Sequence, residues 1–170
     1  MNKKKEILLL LFLSLLSISC TAPQYFWPQE DIVFQEINEP SLDKKVLVAS
    51  RESEFKKEIV QKIKDNLSNR SVYIKIIGIE NLKNEDANQY SAVVVLNTAM
   101  GWKADRKVES FLTRFGNLKT IIVLTTSDGA DVLADTEDRQ IDAIASASTK
   151  NEVNNISNNI ISKINTLIDN

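Results

Sequence analysis

The chain has no histidine, one cysteine and few aromatic residues, and each shortage excludes a class of function. Histidine is absent from its 170 residues, and aromatic side chains make up 6%. Without imidazole there is no base for a histidine-dependent hydrolase, no histidine ligand for zinc and no histidine switch near neutral pH. Cys20, the single cysteine, cannot form an internal disulfide or a multi-thiolate metal site. We therefore predict no metal site, and no catalytic residue can be assigned.

The charge balance argues against a protein that binds nucleic acid. Lys and Arg total 21 against 23 for Asp and Glu, which gives a net charge of -2. A dedicated nucleic-acid binder concentrates positive charge instead. The length and the 43% hydrophobic content are those of a chain with one ordinary core, so we expect a single domain.

The N-terminus has the layout of a signal peptide. Lys3, Lys4 and Lys5 precede an apolar run of twelve residues, Ile7 to Ile18. A helix of that length is too short to cross a bilayer core of roughly 30 Å. We therefore expect residues 1–19 to act in export.

The end of this run resembles the lipobox of bacterial lipoproteins. Ser19, a small residue, lies directly before Cys20, and Pro23 follows closely. In that family the thiol of the cysteine is diacylated, the preceding peptide bond is cut, and the new amino terminus is often acylated too, with palmitate among the acyl chains. The resemblance implies that Cys20 is lipidated and anchors the protein to the bacterial cell membrane or outer membrane, with the domain outside the cytoplasm. An ordinary secretory signal, or a short membrane anchor with an incidental Cys20, is the alternative.

Residues 20–44 are expected to form the lipidated N-terminus and a tether, because they contain all three prolines of the chain. Tyr25, Phe26 and Trp27 are adjacent, so they either dip into the membrane interface or dock on the domain. The weak alternation in Asp31 to Ile37 is compatible with an added edge strand or with a surface segment.

From Val46 onward, short branched apolar runs alternate with amphipathic patterns. Continuous apolar runs are typical of strands buried on both faces, and the patterns between them predict helices. Lys56 and Lys57 are assigned to the exposed side of the first helix, Gly116 to a left-handed cap, and Thr149 with Glu152 to a capping box. The predicted strands are Val46 to Ala49, Val72 to Ile79, Ala92 to Leu96, Ile121 to Leu124 and Ile141 to Ile144. The predicted helices are Phe55 to Leu67, Val108 to Phe115, and a third from Thr149 to the end of the chain.

This order of elements resembles the flavodoxin-like fold over residues 45–170. The resemblance is carried by Val46 to Ile59, by Tyr90 to Phe115 and by Ile121 to Gly129. It implies an α/β fold, a three-layer doubly wound parallel sheet of five strands in the order 2-1-3-4-5. Asn81 to Ser91 and Thr125 to Gln140 are too brief for full crossover helices, so helices two and four are expected to be short or missing.

The same resemblance points to a flavin mononucleotide (FMN) site, from which the sequence departs. The family's phosphate loop is rich in Ser, Thr and Gly, whereas Ser50 to Phe55 lacks glycine and places Glu52 and Glu54 near the helix start. Carboxylates at that position repel phosphate. We therefore expect no cofactor, while FMN stays possible. The candidate cofactor-binding residues are Ser50, Arg51, Ser53, Asn97, Thr98, Trp102, Thr125, Thr126, Ser127 and Asp128; Lys103, Ser146 and Ser148 complete the expected rim.

Two functional interpretations follow. The first is a lipid-anchored envelope protein that acts as a non-catalytic binding or structural module, with an envelope protein as its possible partner. The second is a membrane-tethered electron-transfer flavodoxin that binds FMN, with Trp102 stacked on the flavin. The first interpretation is the preferred one, because the chain lacks a nucleophile-base pair built on histidine and its first loop is acidic.

Overall fold

The computed structural model describes residues 29–99, 104–127 and 138–169. These residues form six strands and three α-helices, with two strands before each α-helix. Short 3-10 helices cover Ile79–Asn84, Ala87–Gln89 and Lys150–Glu152. The strands are β1 (Gln35–Ile37), β2 (Lys45–Ser50), β3 (Tyr73–Gly78), β4 (Ala92–Thr98), β5 (Ile121–Thr126) and β6 (Asp142–Ser146), and the helices are α1 (Glu54–Leu67), α2 (Arg106–Phe115) and α3 (Val153–Asp169).

The strands form one sheet in the order β1-β3-β2-β4-β5-β6. The last five are parallel, and their order confirms the predicted 2-1-3-4-5 arrangement. The sixth strand is β1, which pairs antiparallel with the edge of β3 through Gln35 and Ile76. The sheet therefore includes a segment that lies before Lys45.

Helices cover both faces of the sheet, as expected for three layers. One core contains the apolar side of α1 and α3 against alternate strand residues such as Val48 and Val94. The other contains α2 and the 3-10 helix Ile79–Asn84 against the intervening strand residues, such as Leu47 and Val95. Strand side chains alternate between faces, so a strand with apolar residues at every position is covered twice.

The connection between β3 and β4 confirms a shortened second helix. Residues Ile79–Asn84 and Ala87–Gln89 form two 3-10 helices where a full crossover helix would otherwise lie. Most of the loop expected to replace helix four lies outside the described residues.

Three local predictions are wrong. Gly116 ends α2 with φ -64°, so it is right-handed; it is needed for space, because a Cβ there would lie 2.6 Å from the Leu112 carbonyl oxygen. The capping box does not form: the Thr149 side chain makes no cap hydrogen bond, and the Glu152 carboxylate accepts from Ser146 Oγ at 2.6 Å. Lys56 is not exposed, since only 2% of it is accessible.

Candidate functional site

The strand order reverses between β2 and β4, where connections from β2 and β4 leave in opposite directions. In sheets of this kind, ligands bind at the carboxyl ends of the strands beside such a reversal. The described residues at this edge fall into two groups. One is built around the charge of Arg51, and the other consists of amide and hydroxyl groups on β4, β5 and β6.

Arg51 is the centre of the charged group. It follows β2 directly, and only 8% of its surface is exposed. Its guanidinium contacts three carboxylates: Asp31 at 2.7 Å, Asp105 at 2.8 Å and Glu80 at 3.1 Å. Burial alone lowers the pKa of Arg51, but the hydrogen bond and charge of Asp105, with the other acids, raise it above the ordinary value. The guanidinium is thus permanently charged and fully engaged by the protein.

Asp31 brings the N-terminal segment across the loop that follows β2. The Glu52 amide donates to the Glu30 carbonyl at 2.7 Å. The Asp31 carboxylate accepts from Arg51 and also from the amides of Ile79 and Glu80, each at 3.0 Å. These donors are of the kind that bind an anionic ligand. Here a carboxylate of the same chain holds them.

Gly78 leaves the room that Asp31 occupies. A Cβ on Gly78 would lie within 2.2 to 2.4 Å of three Asp31 side-chain atoms. The close approach of the acid to the end of β3 therefore depends on a glycine at this position. Residues from the N-terminal segment, β2 and β3 are fitted to one another here.

A buried lysine completes the charged group. Lys56, in the first turn of α1, donates from Nζ to Thr98 Oγ1 at the end of β4. Burial, and secondarily the charge of Arg51, lowers the pKa of Lys56 to about 7, although Asp105 opposes this shift. At neutral pH this amine therefore exchanges between its charged and uncharged forms.

The second group at this edge is neutral. The Asp105 amide donates to Asn97 Oδ1 at 3.1 Å, and Asn97 Nδ2 lies 3.4 Å from Thr125 Oγ1. Thr126 Oγ1 donates to the Asn97 carbonyl at 3.1 Å. All three side chains are almost fully buried, so these groups stabilise the ends of β4 and β5.

The hydroxyls expected from the first and fifth loops are also engaged within the protein. Ser50 Oγ donates to the Arg51 carbonyl at 2.7 Å, and Ser53 Oγ caps α1 by accepting from the Lys56 amide at 3.2 Å. Ser146 Oγ donates to Glu152 and accepts from the Ser148 amide, while the Ser127 amide donates to the Ser146 carbonyl. Cys20, Trp102, Lys103 and Asp128 lie outside the described residues.

Glu52 and Glu54 do not fill the first loop as their positions suggested. Both contact Lys57, Glu52 at 2.5 Å and Glu54 at 3.5 Å, and the Glu54 side chain is 87% exposed. The acid that binds Arg51 beside this loop is Asp31, which belongs to the segment before Lys45.

The sequence did not predict four members of the charged group: Asp31, Lys56, Glu80 and Asp105. Lys56 carried a usable signal, because it precedes Ile59, Val60 and Ile63 by three, four and seven residues. That spacing places it on the apolar side of α1. The acids carried no comparable signal.

The cations and carboxylates at this edge are paired with one another. Arg51 and Lys107 face the three carboxylates of Asp31, Glu80 and Asp105, because Lys107 Nζ also contacts Glu80 at 2.6 Å. Two cations against three anions leave this group negative when Lys56 is uncharged. The Lys107 hydrogen bond is the first cause of a lowered pKa at Glu80, so that carboxylate stays ionised.

Membrane-spanning helices and metal-binding clusters are both absent from the described residues. No helix among residues 29–99, 104–127 and 138–169 has the length and apolar character required to span a membrane. In the same part of the chain, no group of three acidic, cysteine or histidine side chains is arranged to hold a metal ion.

The fold of this chain is similar to that of solved flavodoxin structures. No protein-family model matches the chain, and no curated protein matches it in sequence. A flavodoxin from the domain Archaea is 12% identical with a TM-score of 0.50, covering 73% of this chain and 98% of its own. Oxidised flavodoxin 2 from Bacillus cereus is 14% identical with a TM-score of 0.51, covering 72% and 98% respectively. At such low identity the likeness concerns architecture, and the chain has a flavodoxin-like α/β fold.

Proposed function

We propose that the protein is a lipid-anchored envelope protein whose flavodoxin-like domain is a non-catalytic binding or structural module that does not use FMN. The anchor is the acylated Cys20, and the domain lies outside the cytoplasm. Its partner is another envelope protein. The flavodoxin-like fold is compatible both with this proposal and with a redox role. The support for the proposal therefore comes from the contacts of the first loop.

The observation that carries the proposal is the position of the Asp31 carboxylate. Arg51 and the amides of Ile79 and Glu80 are donors of a kind that suits an anion, and Asp31 accepts hydrogen bonds from all three. The Glu52 amide is bonded to Glu30. A phosphate would have to displace this segment and then face Glu80 and Asp105, which is costly for a dianion.

The second candidate is a membrane-tethered FMN-binding electron carrier. It is favoured by the flavodoxin neighbours and by the polar groups of Asn97, Thr125 and Thr126 at the same edge. In that case the phosphate would have to bind elsewhere than on the Arg51 cluster. Trp102, Ser127 and Asp128 would be its flavin contacts.

Absorbance and titration separate the two candidates. We expect the full chain, extracted from membranes in mild detergent, to be colourless and to leave the fluorescence of both FMN and riboflavin unchanged. Riboflavin lacks the phosphate, so binding of riboflavin but not of FMN would locate the barrier in the charges around Arg51. A yellow protein with stoichiometric FMN would overturn the proposal in favour of the electron carrier.

The anchor is tested separately by mass spectrometry. The N-terminal peptide of the mature protein is expected to begin at Cys20 and to carry acyl chains, and Cys20→Ser is expected to release the protein from membranes. A mature chain that begins elsewhere, with Cys20 as a free thiol, would contradict the anchor and leave the flavin question open.

A further inference from the structure

Two adjacent apolar side chains are exposed next to the start of the described chain. Among the described residues, the large hydrophobic side chains that are exposed are Val33, at 69%, and Phe34, at 55%. They lie between Ile32, which packs into the core, and β1. A neighbouring groove of about 340 Å³ between this segment and α1 is lined in part by Val33, Val60 and Lys64.

Hydrogen bonds hold the chain in place immediately before and after Val33 and Phe34. The Ile32 amide donates to the Ser50 carbonyl at 3.3 Å, and Asp31 is held by Arg51 at 2.7 Å. On the other side, Gln35 pairs with Ile76. Val33 and Phe34 are therefore presented outward by a segment that is attached before and after them.

The chain length places this pair close to the anchor. Gln29 follows Cys20 by nine residues, and a fully extended chain reaches about 3.3 to 3.6 Å per residue, so Gln29 lies within roughly 30 Å of the lipidated position. A weak contact becomes effective at this range because the tether holds the domain at a high local concentration near the bilayer. Exposed aromatic and aliphatic side chains are the ones that enter a lipid interface.

We infer that Val33 and Phe34 form a membrane-contacting wedge that sets the orientation of the anchored domain on a lipid surface. This inference rests on the proposed lipid anchor at Cys20. The wedge is flanked by exposed Glu30 and Glu36, and Lys57 is engaged by Glu52 and Glu54. The contact between the wedge and the lipid is therefore made by apolar side chains. Because the flanking charges are negative, the wedge fits a zwitterionic lipid surface better than an anionic one.

The test uses thiol chemistry on the full, membrane-processed chain. Because Cys20 is the single cysteine, acylation leaves Val33→Cys as the one thiol that an environment-sensitive bimane label can reach. The matched control is Thr113→Cys, an exposed position on α2, which covers the opposite face of the sheet from α1. Both proteins are reconstituted into phosphatidylcholine vesicles that contain a doxyl-labelled lipid quencher.

We expect the label at residue 33 to be quenched by the doxyl lipid at least threefold more than the label at residue 113, and to be protected from aqueous iodide. Adding Phe34→Ser is expected to reduce this difference at least twofold. Raising NaCl from 0.1 to 0.5 M is expected to leave the quenching within a factor of two, because the contact is apolar. Anionic lipid is expected not to increase the quenching, because the exposed carboxylates of Glu30 and Glu36 flank the wedge.

Other outcomes overturn the inference in distinguishable ways. Equal doxyl quenching at both positions on protein that floats with the vesicles means that the wedge does not contact lipid, although the anchor holds. Protection from iodide without doxyl quenching means that a protein surface covers the pair instead. A second bimane on Cys20, with no flotation, means that the anchor itself is absent and that the proposed function fails.

Discussion

The two halves of the carboxyl edge of the sheet are built from different chemistry. The ionic half consists of Asp31, Arg51, Lys56, Glu80 and Asp105, and the hydroxyl half consists of Asn97, Thr125, Thr126 and Ser146. Both are buried or half-buried. The ionic half is held by charges from separate segments of the chain, whereas the hydroxyl half is held by short contacts between neighbouring strands. From this difference we expect the ionic half to tolerate substitution less well than the hydroxyl half.

The largest effect is expected from removing the cation of the ionic half. Arg51→Met leaves three carboxylates close together without their shared partner, and a broken buried ion pair costs about 3 kcal/mol. We expect the free energy of unfolding, measured by urea denaturation, to fall by that amount. The control is Lys107→Met, because Lys107 pairs with Glu80 where both side chains are about half exposed, and it is expected to cost less than about 1 kcal/mol.

Equal losses in the two variants would show that the ionic half is no more coupled than a surface pair. The comparison between the two halves would then lose its basis, and the closure of the loop by Asp31 would need another explanation.

A second effect is a pH dependence that belongs to Lys56. Its pKa in the folded protein is about 7, below the ordinary 10.5, chiefly because of burial. Between these values the unfolded chain binds more protons than the folded one, so stability rises with pH, and below about pH 7 this contribution stops changing. We expect Lys56→Met to flatten the rise between pH 7 and 9 and to stabilise the protein at pH 7 by on the order of 2 kcal/mol.

The measurement is a series of urea titrations across that pH range, with Lys62→Met on the same helix as the control. An unchanged slope in Lys56→Met would mean that the buried amine keeps its proton through the range. Lys56 would then carry a full positive charge at neutral pH.

The smallest effect is expected in the hydroxyl half. Thr126→Val removes the hydroxyl that donates to the Asn97 carbonyl while keeping the shape of the side chain, and a buried hydrogen bond of this kind is worth about 1 kcal/mol. Thr113→Val, which removes an exposed hydroxyl bonded within its own helix, is expected to change the free energy of unfolding by less than half of that. A loss in Thr126→Val as large as in Arg51→Met would remove the distinction between the halves.

The sequence predicts the frame of the molecule well, because the relevant signals are local. The runs that became β2 and β4 are apolar at successive positions, and both are covered on two faces. Phe55, Ile59 and Ile63 recur every four residues, and this helical spacing predicts α1 with one buried side. These patterns depend on residues within one element, so the parallel order and the layers follow from alternation.

The ionic half could not be predicted in the same way. Asp31 meets Arg51 and Glu80 across separations of 20 and 49 residues, and no local pattern selects Asp31 over Glu30 or Asp43. The choice depends on the antiparallel pairing of β1 with β3, because that pairing determines where the preceding residues lie. Glu52 and Glu54 were the closest acids in sequence, yet Lys57 holds both.

The segment from Gln29 to Ile32 belongs to the same folding unit as the parallel sheet. A fragment that begins at Lys45 would include all five parallel strands. It would lack the acid that satisfies two backbone amides after β3 and the carbonyl that the Glu52 amide requires. Truncation at the first parallel strand therefore removes internal partners of the domain, and an expression boundary at or before Gln29 is needed to keep them.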